Sequence, residues 1–277
     1  MTTTSIPRSG TPLIWPLRLW LVVEVFFGVA ASMSVGVSPE LSSSNFAWPV
    51  QPTVMAAVLG AFYLTTAPLF VLPLLAKRWE MLRVMILPTL LFTSVQLLVT
   101  FLHWEKFLVG STPFYVWFAS YLLPPPVFLA VYLWQERLAA KASVPAVDPL
   151  PVGLRRWLKP LGFTFLVVAI PVFVGPGLLI PHFAWKLTPL TTRTFCGWLL
   201  LVGSMLLTIH RENSRSRSVL ASPMLILLLP MLLLQMSRFA DQVAWSNGVL
   251  LVGLGLFAAV FVCGFILAGG SWREALR

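Results

Sequence analysis

Residues 249–268 read VLLVGLGLFAAVFVCGFILA, twenty positions without one charged side chain. As a helix rising ~1.5 Å per residue, a run of this length covers the ~30 Å hydrocarbon layer of a bilayer. Leu19 to Val37, Thr53 to Ala76 and Val84 to Leu102 are runs of the same kind. They are continuous rather than alternating, which argues against a membrane β-barrel. Of the 277 residues, 58% are hydrophobic and 10% are charged, against about 25% charged in a soluble domain. One water-soluble core cannot hide that much apolar surface. The expected fold is an all-α integral membrane protein.

Eight spans are expected, at 17–37, 53–76, 83–102, 114–134, 158–180, 190–210, 219–237 and 247–269. The net charge of +10 does not point to nucleic acid, because the basic residues sit in short connections and form no single patch. Arg8 and Arg18 precede span one, and Lys77, Arg78 and Arg83 follow span two. Arg137, Lys141, Arg155, Arg156 and Lys159 join spans four and five, Arg211, Arg215 and Arg217 join six and seven, and Arg273 and Arg277 end the chain. With eight spans all of these fall on one side, which the positive-inside rule makes cytoplasmic. The expected location is a cytoplasmic membrane of bacterial type, with both termini inside. Cys196 and Cys263 both fall within spans and offer no disulfide framework or CxxC site.

The first half of the chain falls on the second when shifted by 137 positions. Leu17-Arg18-x-Trp20-Leu21 meets Leu154-Arg155-x-Trp157-Leu158, Pro39 meets Pro176, and Phe46-Ala47-Trp48 meets Phe183-Ala184-Trp185. Pro52 meets Pro189 and Gly60 meets Gly197. Between residues 12 and 70, 18 of 59 residues equal the residue 137 positions later. Matches of Trp, Pro and Gly at one offset are harder to obtain by chance than matches of Leu and Val. The expected architecture is therefore two tandem four-helix repeats, 12–137 and 154–270. An even number of spans per copy makes the repeats parallel, related by an axis along the membrane normal. A disordered cytoplasmic tail is expected at 1–11, a cytoplasmic linker at 138–153 and a second tail at 271–277. Span one pairs with an internal helix, so it is read as retained, not as a cleaved signal peptide.

Glu24 is the one acid well inside an expected span. Ionisable groups at such depth are functional candidates, although Glu24 is six residues past Arg18, about 9 Å along a helix. Cation or proton coupling and a structural ion pair or hydrogen bond are both open readings. Arg193, Arg238 and Asp241 complete the candidate solute- or ion-binding set. Arg193 either snorkels outward or turns inward to an anion or to Asp241. Trp48, His103, Glu105, His182 and Trp185 all fall near the outer side and form a candidate outer vestibule. Trp48 and Trp185 read equally as interfacial aromatic anchors. Pro124-Pro125-Pro126, Pro171 and Gly175-Pro176-Gly177 are expected to break spans four and five, which fits either a lined cavity or a packed kink.

No catalytic residue, metal site or cofactor is expected. Two histidines on one side are too few for a haem or metal, and Walker, GxSxG and HExxH motifs are missing. The leading expectation is a transporter or permease-like protein for a small solute or lipid. The alternatives are an accessory subunit of a larger membrane complex and an intramembrane enzyme or cofactor protein. The expected partners are membrane lipid and either other membrane proteins or further copies of this chain; nucleic acid is not expected.

Overall fold

The computed structural model describes residues 10–140, 148–269 and 272. The tail, linker and second-tail expectations for residues 1–9, 141–147 and 273–277 lie outside the described residues. Among the described residues there is no β-strand, and eight helices are long and apolar enough to cross a membrane. These are α1 Trp15–Val37, α2 Thr53–Leu75, α3 Arg83–Leu102, α4 Thr112–Ala139, α5 Val152–Val174, α6 Pro189–Glu212, α7 Arg215–Ser237 and α8 Gly248–Ala268.

The bounds depart from expectation where local chemistry overrides hydropathy. Helix α5 was expected at 158–180 and lies six residues earlier at both ends. Arg155, Arg156 and Lys159 delayed its expected start. Their side chains are exposed, while Leu154 and Leu158, one turn apart, are buried. The helix stops before Gly175 because Pro176 disfavours α geometry in the residue before it. The chain then makes two short 3-10 turns, Pro176–Leu178 and Ile180–His182. Pro171 stays inside α5. Helix α4 is broken at Leu123, where the three prolines begin, and the last six residues of α1 form a π-helix.

Two stretches expected to be loose are pinned. Thr11 is buried; its N–H donates to Glu80 Oε1 at 3.0 Å and its carbonyl accepts from Trp79 N–H at 2.8 Å. Asp148, placed in the linker by the sequence, holds the start of α7: its carbonyl accepts from Arg215 N–H at 2.9 Å, and its carboxylate accepts from Ser216 N–H at 2.6 Å and from Ser214 Oγ at 2.8 Å.

Four helices form the core and four surround it. The apolar stretches of α2, α3, α6 and α7 are 56–72% buried, whereas those of α1, α4, α5 and α8 are 28–33% buried. Helix α1 packs on α2 and α5 on α6; α3 packs on α6 and α7 on α2; α3 meets α4 and α7 meets α8. Every one of these contacts recurs four helices later. At Gly60 an added Cβ would stand 2.1 Å from the Cα of Gly36, so α1 and α2 touch backbone to backbone there. Any larger residue at position 60 would force them apart.

The same hydrogen bonds recur at the same spacing. Leu108 N–H donates to Ala47 O at 2.9 Å, and Ala244 N–H donates to Ala184 O at 3.0 Å. At the opposite end, Trp79 N–H to Thr11 O matches Arg215 N–H to Asp148 O. That end also holds a charged network across α3, α4 and α6: Glu136 accepts from Arg83 and from Trp79 Nε1, and Glu212 accepts from Arg217 at 2.9 Å with Arg83 at 4.0 Å.

Candidate functional site

Glu24 sits midway along α1 and is 5% exposed. It lies on the wall of a cavity of about 230 Å³ enclosed by α1, α2, α3, α4 and two residues of α6, Trp198 and Leu201. Glu24 Oε1 makes no hydrogen bond of ordinary geometry, and the Trp20 side chain, one turn earlier, is the donor that approaches the carboxyl. Arg18, the basic residue nearest in sequence, is spent elsewhere: its two terminal nitrogens donate to Leu74 O and Ala76 O, each at 2.9 Å, closing the C-terminal end of α2. The structural ion pair that sequence spacing allowed for Glu24 is therefore not made with Arg18.

The cavity walls are aromatic. Trp198 faces Phe92 with ring centroids 4.2 Å apart and Tyr63 at 5.0 Å, and Trp117 packs on Tyr121 at 4.4 Å. The hydroxyls of Tyr63 and Tyr121 bond each other at 2.8 Å. Trp117 is fixed from behind, because its Nε1 donates to Thr100 Oγ1 at 2.9 Å. Gln96, one turn before Thr100 on α3, donates to Thr194 O on α6 at 3.0 Å and ties this wall to the other half of the molecule.

The walls carry one buried N–H without a partner, Trp198 Nε1, and several hydroxyls whose protons are already spent. Thr66, Thr89 and Thr93 each donate the hydroxyl proton to a carbonyl in their own helix, which leaves the oxygen lone pairs free to accept. Among the described residues, no lysine, arginine or histidine lines the cavity. Its rim is a seam between α1 and α4: Phe27, Ala31 and Ser34 on one side and Val116 and Ser120 on the other are half-buried, and Thr112 is exposed.

A second cavity of about 360 Å³ lies among α5, α6, α7 and α8. Its lining follows the first at an offset of 136–137: Gly28 corresponds to Phe165, Ala31 to Val168, Phe46 to Phe183, Val116 to Val252 and Tyr121 to Phe257. It contains no ionisable residue. Leu161 takes the position that Glu24 holds in the first half.

The other candidate residues are placed differently. Arg193, half-buried on α6, donates through Nε to Phe173 O at 2.9 Å and through Nη2 to Val174 O at 3.5 Å. Its Nη1 meets His103 Nε2 at 2.9 Å. Arg238 donates to Gly36 O at 2.6 Å and to Val37 O at 2.9 Å. Both arginines thus satisfy the carbonyls that a helix leaves open at its C-terminal end, Arg193 for α5 and Arg238 for α1. Neither lines either cavity. Asp241 is exposed in a 3-10 turn after α7.

The residues expected to form an outer vestibule are not presented as one. Trp48 is 2% exposed and packs on Phe46, Phe107 and Trp117, behind the first cavity. Trp185 is buried, donates to Met55 Sδ at 3.4 Å and lines the second cavity. His103 is buried against Arg193, whereas Glu105 and His182 are exposed. Sequence reasoning missed Tyr63, Tyr121, Trp117 and Trp198, because nothing along the chain indicates that three separate helices bring them together.

No protein-family model, curated protein or solved structure matches this chain.

Proposed function

We propose that the chain is an integral membrane protein of two tandem parallel four-helix repeats that binds a small solute or lipid fragment in the Glu24 cavity and passes it across or within the bilayer. Membrane lipid covers the outer faces of α1, α4, α5 and α8, where Phe26, Val167 and Val252 are more than half exposed. The duplication is supported by the hydrogen bonds, helix contacts and cavities that repeat at one spacing. The basic end, with Arg78, Arg83, Arg155 and Arg217, is read as cytoplasmic.

The observation that carries the reading is the 95% buried Glu24 with an unpartnered oxygen on the wall of a cavity. An ionisable group at membrane depth is costly, and such groups mark substrate or ion pathways. The seam between α1 and α4 lies on the faces assigned to lipid, so a ligand reaches the cavity sideways from the bilayer.

Gly28 supplies the test. It lines the cavity, and a Cβ added there meets nothing within 4 Å. Gly28→Phe copies Phe165 of the other half and fills the space. Purified protein in a neutral detergent is screened by thermal shift against small solutes and short-chain lipids. Compounds are expected to stabilise the native protein and not the Gly28→Phe variant. A protein that folds normally with Phe at position 28 and responds to every compound as the native one does would remove the cavity from the function.

A further inference from the structure

The Glu24 cavity is built for positive charge. We propose that its ligand is an organic cation, a quaternary or protonated amine carrying an apolar group; this rests on the cavity being a binding site. Three features of the walls agree. The one acid among the described lining residues is Glu24, whose carboxyl has an unpartnered oxygen. The threonine hydroxyls have spent their protons on helix carbonyls and offer acceptor oxygens only. The remaining surface is largely aromatic: Phe92, Trp117, Tyr121 and Trp198 all line it. Aromatic faces attract cations, more strongly when water is excluded. An anion would meet a carboxylate with no basic group to offset it, and a neutral ligand would leave Glu24 unpaired.

The second cavity is a control within the same chain. It is larger, about 360 Å³ against 230 Å³, and has no carboxylate among its described lining residues, because Leu161 replaces Glu24 and Phe257 replaces Tyr121. The structure thus offers one cavity that distinguishes charge and one that does not.

The experiment uses the purified full-length protein in a neutral maltoside detergent. Three water-soluble aromatic probes of like size are compared by calorimetry: benzyltrimethylammonium, benzyl alcohol and benzenesulfonate. Benzyltrimethylammonium is expected to bind at least tenfold more tightly than benzyl alcohol, and benzenesulfonate is expected not to bind. Glu24→Gln keeps the shape of the side chain and should erase the preference for the cation while leaving benzyl alcohol unchanged. Equal binding of cation and alcohol, or an unchanged preference in Glu24→Gln, overturns the charge assignment while the cavity reading stands. Binding of benzyltrimethylammonium that survives Gly28→Phe, or no binding of any of the three probes, overturns both.

Discussion

His103 Nε2 and Arg193 Nη1 lie 2.9 Å apart where the end of α3 meets the start of α6. A guanidinium can only donate, so the imidazole nitrogen accepts and the ring is neutral in this contact. Burial first, and then the charge of Arg193, holds the His103 imidazolium below the ordinary histidine range. The unfolded chain therefore binds a proton at higher pH than the native one does. By linkage, stability rises with pH wherever the unfolded state holds more protons. The contribution of neutral His103 is complete above the ordinary value of about 6.5 and is lost as pH falls from there through the lower folded value. Thermal melting in detergent should show a lower Tm at pH 5 than at pH 7.5. His103→Gln, whose amide oxygen also accepts, should flatten that part of the profile. An unchanged slope in the variant would place the titrating group elsewhere.

Arg193 and Arg238 act as helix caps from a distance. Arg193→Ala leaves Phe173 O and Val174 O without their side-chain donor; Arg238→Ala does the same to Val37 O, whereas Gly36 O keeps the Gln235 amide at 3.0 Å. An unmade hydrogen bond at a buried group costs about 1–3 kcal/mol, and partial solvent access keeps each variant toward the lower figure. Both should melt earlier and still bind cavity ligands with native affinity. A variant of native Tm that had lost ligand binding would return the arginine to the solute-binding role that its charge first suggested.

Glu24 works against stability. Burying an unsatisfied polar group costs about 1–3 kcal/mol on mutational scales. Glu24→Leu, which copies Leu161, should therefore raise the Tm while weakening binding of cationic probes. Sites that sacrifice stability for binding commonly behave in this way. A lower Tm in Glu24→Leu would mean that the carboxylate has a structural partner.

Helix number was legible in the chain because spans of bilayer length need no tertiary information. So was the oddity of Glu24, since no other acid interrupts an apolar run at that depth. The ends of α5 were less legible: exposed Arg155, Arg156 and Lys159 outweighed the buried pair Leu154 and Leu158 in a linear reading. Charge at the end opposite the Arg83–Glu136 pair misled in another way. Arg193 and Arg238 looked like ligand groups, but their partners are carbonyls 20 and 202 residues away in the chain. Trp48 and Trp185 looked interfacial because they precede spans, yet they pack beneath the helix ends. Such pairings depend on which helices adjoin, and hydropathy carries no record of that.

The proposed repeat makes a prediction that a single domain would not. In the first half Glu80 accepts from Thr11 N–H; in the second Asp148 accepts from Ser216 N–H. Thr11 corresponds to Asp148 at an offset of 137, and Glu80 to Ser216 at 136. The same two backbone segments are clamped in both halves, with the carboxylate moved from one side of the clamp to the other. Glu80→Ser alone strips the acceptor from Thr11 and should lower the Tm, by about 1–3 kcal/mol of stability if the N–H stays buried. Adding Thr11→Asp transplants the second arrangement into the first, where the new carboxylate can accept from residue 80 N–H. The double variant should recover much of the loss, and the two changes should be strongly non-additive, as expected of residues in direct contact. Simple additivity would show that the two clamps differ in geometry despite their common spacing, and would count against descent of both halves from one four-helix unit.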